Sequence, residues 1–216
     1  MNLNKITIVV PCFNEEMHID TFTDRLEKKC ISLKCDYEII FVEDGSTDQS
    51  FNKIQKKLEN NSKLKIIKLS KNYGFHVAIS AGIDHVKESD LIIICPLDDI
   101  ELIKYFDDLI EKFDSGCDIV WMVREQRKKN FTPKFFATIF YKLFKYLSGF
   151  KNYPENGTAA LFLISNKVAK EFRKFSETNR VTNILLYSMG FKQGQVKFKE
   201  NDDLRQSSYT FVKRLK

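Results

Sequence analysis

Short apolar runs and amphipathic stretches alternate without a break from residue 5 to residue 124. The apolar runs cover 5–11 (KITIVVP), 37–43 (YEIIFVE), 64–70 (LKIIKLS), 89–99 (SDLIIICPLDD) and 117–124 (CDIVWMVR). They are rich in Ile and Val and bounded by Pro, Gly, Asp or Ser, the pattern of buried strands. Between them, residues 14–30 place Met17, Ile19, Phe22 and Leu26 near helical spacing, and 49–60, 76–86 and 100–116 read as further helices. Strict strand–helix alternation predicts an α/β fold: a mostly parallel sheet with helices on both faces. In such sheets ligands gather beyond the carboxyl ends of the strands.

The polar residues worth chemical attention fall at those ends. Pro11, Asn14 and Glu15 follow the first strand, Glu43, Asp44, Gly45, Ser46 and Asp48 the second, and Asn72 and Gly74 the third. Pro96, Asp98 and Asp99 follow the fourth, and Arg124, Arg127, Lys128 and Lys129 the fifth. Asp44 is able to accept from a base N–H, and Gly45 permits close backbone approach. A plain turn with Asp48 as helix N-cap accounts for the same residues. Asn14 and Glu15 suit the cap and first turn of a helix. Asp98 and Asp99, adjacent at the end of a buried strand, suit a hard divalent cation bridging to phosphates; one of them also suits the cap of a helix starting near Ile100. The arginines suit bidentate grip on phosphate, or else a solvated loop.

Composition narrows the classes. The 216 residues carry a net charge of +6 and are 43% hydrophobic, consistent with a globular chain. Residues 121–152 hold eight Lys or Arg against the single acid Glu125, a local field that favours an anionic partner. Within it, residues 133–149 form an amphipathic pattern: Lys134, Thr138, Lys142 and Lys145 on one stripe, Phe136, Ile139, Phe140, Leu143 and Leu147 opposite. That is the pattern of a membrane-surface helix, and equally of a helix packed on its own domain or at a homo-oligomer face. The five cysteines have no zinc-site spacing and read as reduced thiols of a cytoplasmic protein. No signal peptide and no run of ~18 apolar residues is present, so membrane association is expected to be peripheral or to use a segment outside this sequence. There is no P-loop and no G-x-G-x-x-G, and His18, His76 and His85 form no metal constellation. Nucleic-acid binding through the basic loop would set Asp44, Asp98 and Asp99 beside phosphates with no cation, so no nucleic-acid partner is expected.

IVVPCFNEE, YEIIFVEDGSTDQS, LSKNYGFHVAISAGI, the acidic strand end and CDIVWMVREQR together resemble the family 2 glycosyltransferases of GT-A fold. The likeness is nearer to the polyprenyl-phosphate branch, and it runs from residue 5 to about 212. The resemblance implies inverting transfer of a sugar from a nucleotide donor, UDP first, to a polyprenyl-phosphate or other lipid-linked acceptor on the cytoplasmic membrane face. By it, Pro11, Asn14, Glu15, Asp44 and Ser46, with Asn72 and Gly74, would line the nucleotide pocket. Asp98 would hold Mg²⁺ or Mn²⁺, with Asp99 beside it in catalysis, and Arg124 and Arg127 would meet the acceptor phosphate. Residues 1–130 would form the nucleotide-sugar half and 131–216 the acceptor half of one continuous domain.

The departures lie mostly in the second half. Pro96 replaces the first acid of the D-x-D motif. Ala160-Leu161-Phe162 stands where the family has Asp-Phe-Arg. Ser207-Ser208-Tyr209 is what remains of a Ser-Lys-Tyr pattern, with Asp202 and Arg205 at the preceding Arg and Gly positions. These changes leave two expectations: an altered catalyst, or an inert GT-A protein that binds nucleotide sugar or partners an active enzyme.

Overall fold

The computed structural model describes residues 3–125, 158–175 and 181–199. The alternation read from the sequence is present: β1 (Lys5–Cys12), α1 (Ile19–Ser32), β2 (Asp36–Glu43), α2 (Ser50–Leu58), β3 (Leu64–Lys68), α3 (Phe75–His85), β4 (Leu91–Ile94). A 3-10 segment (Leu97–Tyr105) then runs into α4 (Phe106–Asp114) and β5 (Ile119–Arg124). After them come β6 (Thr158–Ser165), α5 (Asn166–Phe172), α6 (Thr182–Ser188) and β7 (Gln193–Phe198). The expected amphipathic helix at 133–149 and the Ser207-Ser208-Tyr209 stretch lie outside the described residues.

The strands form one seven-stranded sheet in the order β3-β2-β1-β4-β6-β5-β7. β1 pairs in parallel with both β2 and β4, and β2 with β3. Chain order therefore reverses at β1: two strands are added on one side, then β4 on the other. That reversal opens a crevice between the ends of β1 and β4, the place where α/β sheets hold ligands.

Each face carries its own core. Ile6, Ile8 and Val10 of β1 point into a cluster with Phe22 and Leu26 of α1, Ile54 of α2 and Phe106 and Leu109 of α4. Val9 points the other way, to Ile79 and Ile83 of α3 and Phe172 of α5. Alternate side chains of a strand leave opposite faces, so a strand covered on both sides must be apolar throughout. This is why the buried stretches of β1, β2 and β4 are dominated by Ile, Val, Leu and Phe. Each such side chain, once buried, contributes about 1.5–3 kcal/mol.

Three expectations need correction. First, α1 begins at Ile19, not at residue 14, and its cap residue His18 makes no side-chain cap bond. Asn14 is instead in the left-handed region, φ 55°. Second, β4 stops at Ile94, short of the run expected to residue 99. Pro96, with no N–H to give a neighbouring strand, stands directly before the 3-10 segment. Asp98 and Asp99 thus lie in that segment's first turn, and the helical run starts at Leu97, with Pro96 at the cap position, not near Ile100. Third, β6 is antiparallel to both β4 and β5 and separates them. The five strand ends are therefore not consecutive in space: Arg124 stands two strand spacings, about 10 Å, beyond β4.

Candidate active site at the strand ends

Three loops meet at the carboxyl edge of β1, β2 and β3, and hydrogen bonds stitch them together. In the loop after β1, the N–H of Asn14 donates to Ser46 Oγ at 3.0 Å. The N–H of Glu15 donates to Ser50 Oγ at 2.8 Å, and that of Glu16 to Asp48 Oδ2 at 3.1 Å. Donation also runs the other way, from Thr47 N to Asn14 Oδ1 at 2.8 Å and from Gln49 N to Glu16 Oε2 at 2.9 Å. Asn14 was expected as a helix cap. Its side chain is used here across loops, and its left-handed backbone aims it there.

The loop after β2 is braced from within. Glu43, buried at the end of the strand, accepts from Ser46 N. Asp48 was expected as the N-cap of α2, but the capping position is Gln49. Asp48 still does capping work, accepting from Ser50 N at 2.9 Å while its other oxygen serves Glu16.

Asp44 joins the second loop to the third. It is 3% exposed. Its Oδ1 accepts from Tyr73 N at 2.8 Å and its Oδ2 from Gly74 N at 2.8 Å. Burial pushes its carboxyl above the ordinary range, and the two N–H donors pull against that shift. Gly45, at φ 67°, lies against the same loop. A Cβ there would sit 2.4 Å from Lys71 C and 2.6 Å from Asn72 N. Asn72 is exposed at this contact and Gly74 caps α3.

The crevice between β1 and β4 is acidic. Glu15 is half-buried, and its Oε2 pairs with His18 Nδ1 at 2.8 Å. Burial raises the Glu15 carboxyl, the His18 hydrogen bond lowers it, and the charge of Asp98 raises it again. Two carboxylates from the two sides of the crevice thus feel each other. The buried Cys12 thiol is raised by its own burial and then by Glu15 and Glu43. Pro11 is buried within β1, so its contribution is to shape the strand exit.

No cluster of three or more His, Cys, Asp or Glu side chains able to hold a metal alone occurs among the described residues. A cation that draws part of its oxygen shell from a substrate diphosphate needs only one or two carboxylates from the protein. Exposed Asp98, facing Glu15 across the crevice, fits that demand.

The sequence also matches a known pattern over most of its length. Residues 7–180 match the model of the family described as "Glycosyl transferase family 2". The chain belongs to that family. It is 34% identical over 215 residues to "Uncharacterized glycosyltransferase YkcC" of Bacillus subtilis, a match covering 97% of this chain and 65% of the relative. It is 32% identical over 197 residues to "Uncharacterized glycosyltransferase sll0501" of Synechocystis, covering 90% of this chain and 60% of the relative. The chain thus spans somewhat under two thirds of these curated relatives. Among solved structures, glucosyl-3-phosphoglycerate synthase of Mycobacterium tuberculosis in complex with UDP overlays with a TM-score of 0.61 at 14% identity, over 98% of this chain and 75% of that one. S. aureus TarS 1-349 in complex with UDP-GlcNAc gives 0.55 at 16%, over 95% and 62%. The mannosyltransferase PcManGT of Pyrobaculum calidifontis with GDP-Man and Mn²⁺ gives 0.56 at 13%, over 93% and 57%. At these identities the overlays establish the fold.

Within this family frame the expected residues sort as follows. Asn14, Glu15, Asp44, Ser46, Asn72 and Gly74 come together in the interlocked loops, and Asp98 faces them from the 3-10 segment after β4. Arg124 ends β5 beyond the intervening β6, and Arg127 lies outside the described residues. The sequence reading missed Glu43 as a brace, Ser50 as the acceptor for Glu15 N, and Tyr73 altogether. Tyr73 sits between two flagged residues in KNYG, and its being a large aromatic at a strand end was the available signal. The altered tripeptide has a clear physical setting: Leu161 and Phe162 are fully buried on opposite faces of β6, and Phe162 lies 5.0 Å from the Trp121 ring. A charge at residue 162 would be buried in an apolar core.

Proposed function

We propose that the chain is the donor-binding and catalytic portion of an inverting glycosyltransferase of the polyprenyl-phosphate branch. It moves a sugar from a nucleoside diphosphate carrier, UDP first, to a polyprenyl-phosphate or other lipid-linked acceptor. The carrying observation is the three-loop crevice at the chain reversal, with Asp98 facing Glu15 across it. The relatives' names and the nucleotides held by TarS, PcManGT and the phosphoglycerate synthase support the same reading.

In this reading the cross-stitched loops hold the nucleoside in one place, so binding energy goes into orienting the anomeric carbon. The acceptor phosphate is already an anion at neutral pH, and no strong general base is needed. Asp98 would hold Mg²⁺ or Mn²⁺, which supplies charge stabilisation to the departing diphosphate. Asp99, in the same turn, stands beside it. Arg124 and Arg127 would draw in the acceptor phosphate. The basic 121–152 stretch and the amphipathic 133–149 pattern support peripheral contact with the cytoplasmic face of a membrane. No helix among the described residues is long and apolar enough to cross one.

The test is a thermal-shift panel of UDP, GDP, CDP and dTDP, each with and without Mn²⁺. At least one pair raises the melting temperature; a flat response across the panel sinks the proposal. Pro96 and the buried Phe162 favour a second reading, a nucleotide-sugar binder without turnover. Release of nucleoside diphosphate that vanishes in Asp98→Ala rules that second reading out.

A further inference from the structure

We propose that Arg25 and Glu101 are positioning residues: their ion pair ties α1 to the 3-10 segment and so holds Asp98 near Glu15, where the two carboxylates would otherwise push the crevice open. The inference rests on the metal reading of Asp98 and says what keeps that residue in place before a cation arrives.

The 3-10 segment (Leu97–Tyr105) is an unusual support for a ligand-bearing side chain. It runs for 9 residues, whereas 3-10 stretches longer than about three or four are uncommon because their hydrogen bonds are poorly aligned. Leu97, Leu102 and Ile103 are buried in the cluster that holds Phe22 and Leu26 of α1, which sets how deep the segment lies. Its rotation about its own axis is fixed from the outer side. With three residues per turn, side chains three apart eclipse, so Glu101 stands one turn, about 6 Å, from Asp98 on the same row. Arg25 Nη1 donates to Glu101 Oε1 at 2.5 Å and Nη2 to Oε2 at 3.2 Å, a two-pronged grip that fixes direction as well as distance. Further along, Lys29 Nζ donates to Asp107 Oδ2 at 2.6 Å, at the start of α4.

Glu15 belongs to the other side of this ladder. Its carbonyl accepts from the His18 and Ile19 N–H groups at 2.9 and 3.3 Å, so it moves with the start of α1. From the crevice downward, α1 and the chain after β4 therefore meet at one repulsive rung, Glu15 with Asp98, and then at two attractive ones, Arg25 with Glu101 and Lys29 with Asp107. A cation held by Asp98 would cancel the repulsion; until it arrives, the attractive rungs oppose it. The Arg25 and Glu101 side chains are 40% and 42% exposed, so their pair adds little to global stability and weakens with salt. Its effect is therefore expected at the crevice and not in the melting temperature.

The experiment measures, by calorimetric titration, the affinity for the best-binding of UDP, GDP, CDP and dTDP, once with saturating Mn²⁺ and once with no divalent ion. The ratio of the two affinities is the coupling between cation and diphosphate. Arg25→Glu and Glu101→Arg each lower that ratio about fivefold, leave the cation-free affinity within about twofold of wild type, and shift the melting temperature by less than about 4 °C. The exchanged pair, Arg25→Glu with Glu101→Arg, recovers the ratio to within about twofold of wild type. In about 0.5 M salt the gap between Arg25→Glu and wild type narrows. An unchanged ratio in the single variants, an equal loss of affinity with and without Mn²⁺, or an exchanged pair no better than the singles would overturn the proposal. If Arg25→Glu fails to fold, Arg25→Gln, which removes only the attraction, decides: the ratio falls about twofold, and no fall refutes the brace. If Mn²⁺ leaves the affinity of the wild type itself unchanged, the metal reading of Asp98 has failed and the brace falls with it, a result told apart because it shows before any residue is altered.

Discussion

Gly45→Ala is the most direct test of whether the strand-end loops work as one body. The added methyl would lie 2.4 Å from Lys71 C and 2.6 Å from Asn72 N. Both are backbone atoms, so no side chain can swing aside to relieve the contact. The backbone there has φ 67°, a region that costs a residue with a Cβ about 1–2 kcal/mol. Overpacking against a fixed wall adds about 1–3 kcal/mol. Together these give about 2–5 kcal/mol, a large share of the roughly 5–15 kcal/mol by which a domain is stable. For a chain of this length that corresponds to a fall of about 4–20 °C in melting temperature. The fall is read by calorimetry or circular dichroism. The damage is local in origin: parting the two loops breaks the Asp44 clamp, so nucleotide affinity falls as well. A Gly45→Ala variant that melts within about 2 °C of wild type and binds the same diphosphate equally well would refute the close-contact argument.

Other outcomes follow from the same site. With few carboxylates converging in the crevice, Mn²⁺ alone leaves the melting temperature unchanged, while Mn²⁺ raises it further once a diphosphate is present; Asp98→Ala removes that increment. At a hundredfold excess over the dissociation constant, binding stabilises by about 2.7 kcal/mol, enough for a clear shift. His76 is depressed below its ordinary value of 6.5 by burial, so on acidification the unfolded chain takes up that proton first. Its contribution to stability is whole above pH 6.5 and is lost as pH falls toward the depressed folded value. His76→Gln flattens the pH dependence of urea midpoints in that window, and an unchanged slope would show that the ring is not responsible.

Much of the fold was legible because the physics that built it is local. The aliphatic-rich runs of β1, β2 and β4 follow from burial on both faces, and the regular helical spacing of Phe22 and Leu26 marks α1. What escaped the sequence depends on partners far along the chain. Asn14 satisfies every rule for a helix cap, but its carboxamide serves Thr47, and nothing near residue 14 announces that. Asp44 looks like a ligand group because its donors, Tyr73 and Gly74, are about thirty residues away. The direction of β6 was also unreadable. Its apolar run pairs equally well either way up, and nothing within residues 158–165 selects one direction. The candidate site residues were open to proposal because strand ends collect ligands in this kind of fold, a rule of topology that needs only the order of elements.

The antiparallel β6 has an evolutionary consequence. β5 ends at Arg124, and β6 begins beside it, with Val123 paired to Thr158. The chain therefore leaves the sheet and re-enters it at one edge, through two adjacent doorways. Whatever sequence joins those doorways can be lengthened or exchanged without altering any strand register, since doubling a loop costs only about 0.6 kcal/mol of closure entropy. The interlocked loops after β1, β2 and β3, by contrast, tolerate little editing. A chain organised this way has room to vary that connection while its interlocked strand-end loops stay constant.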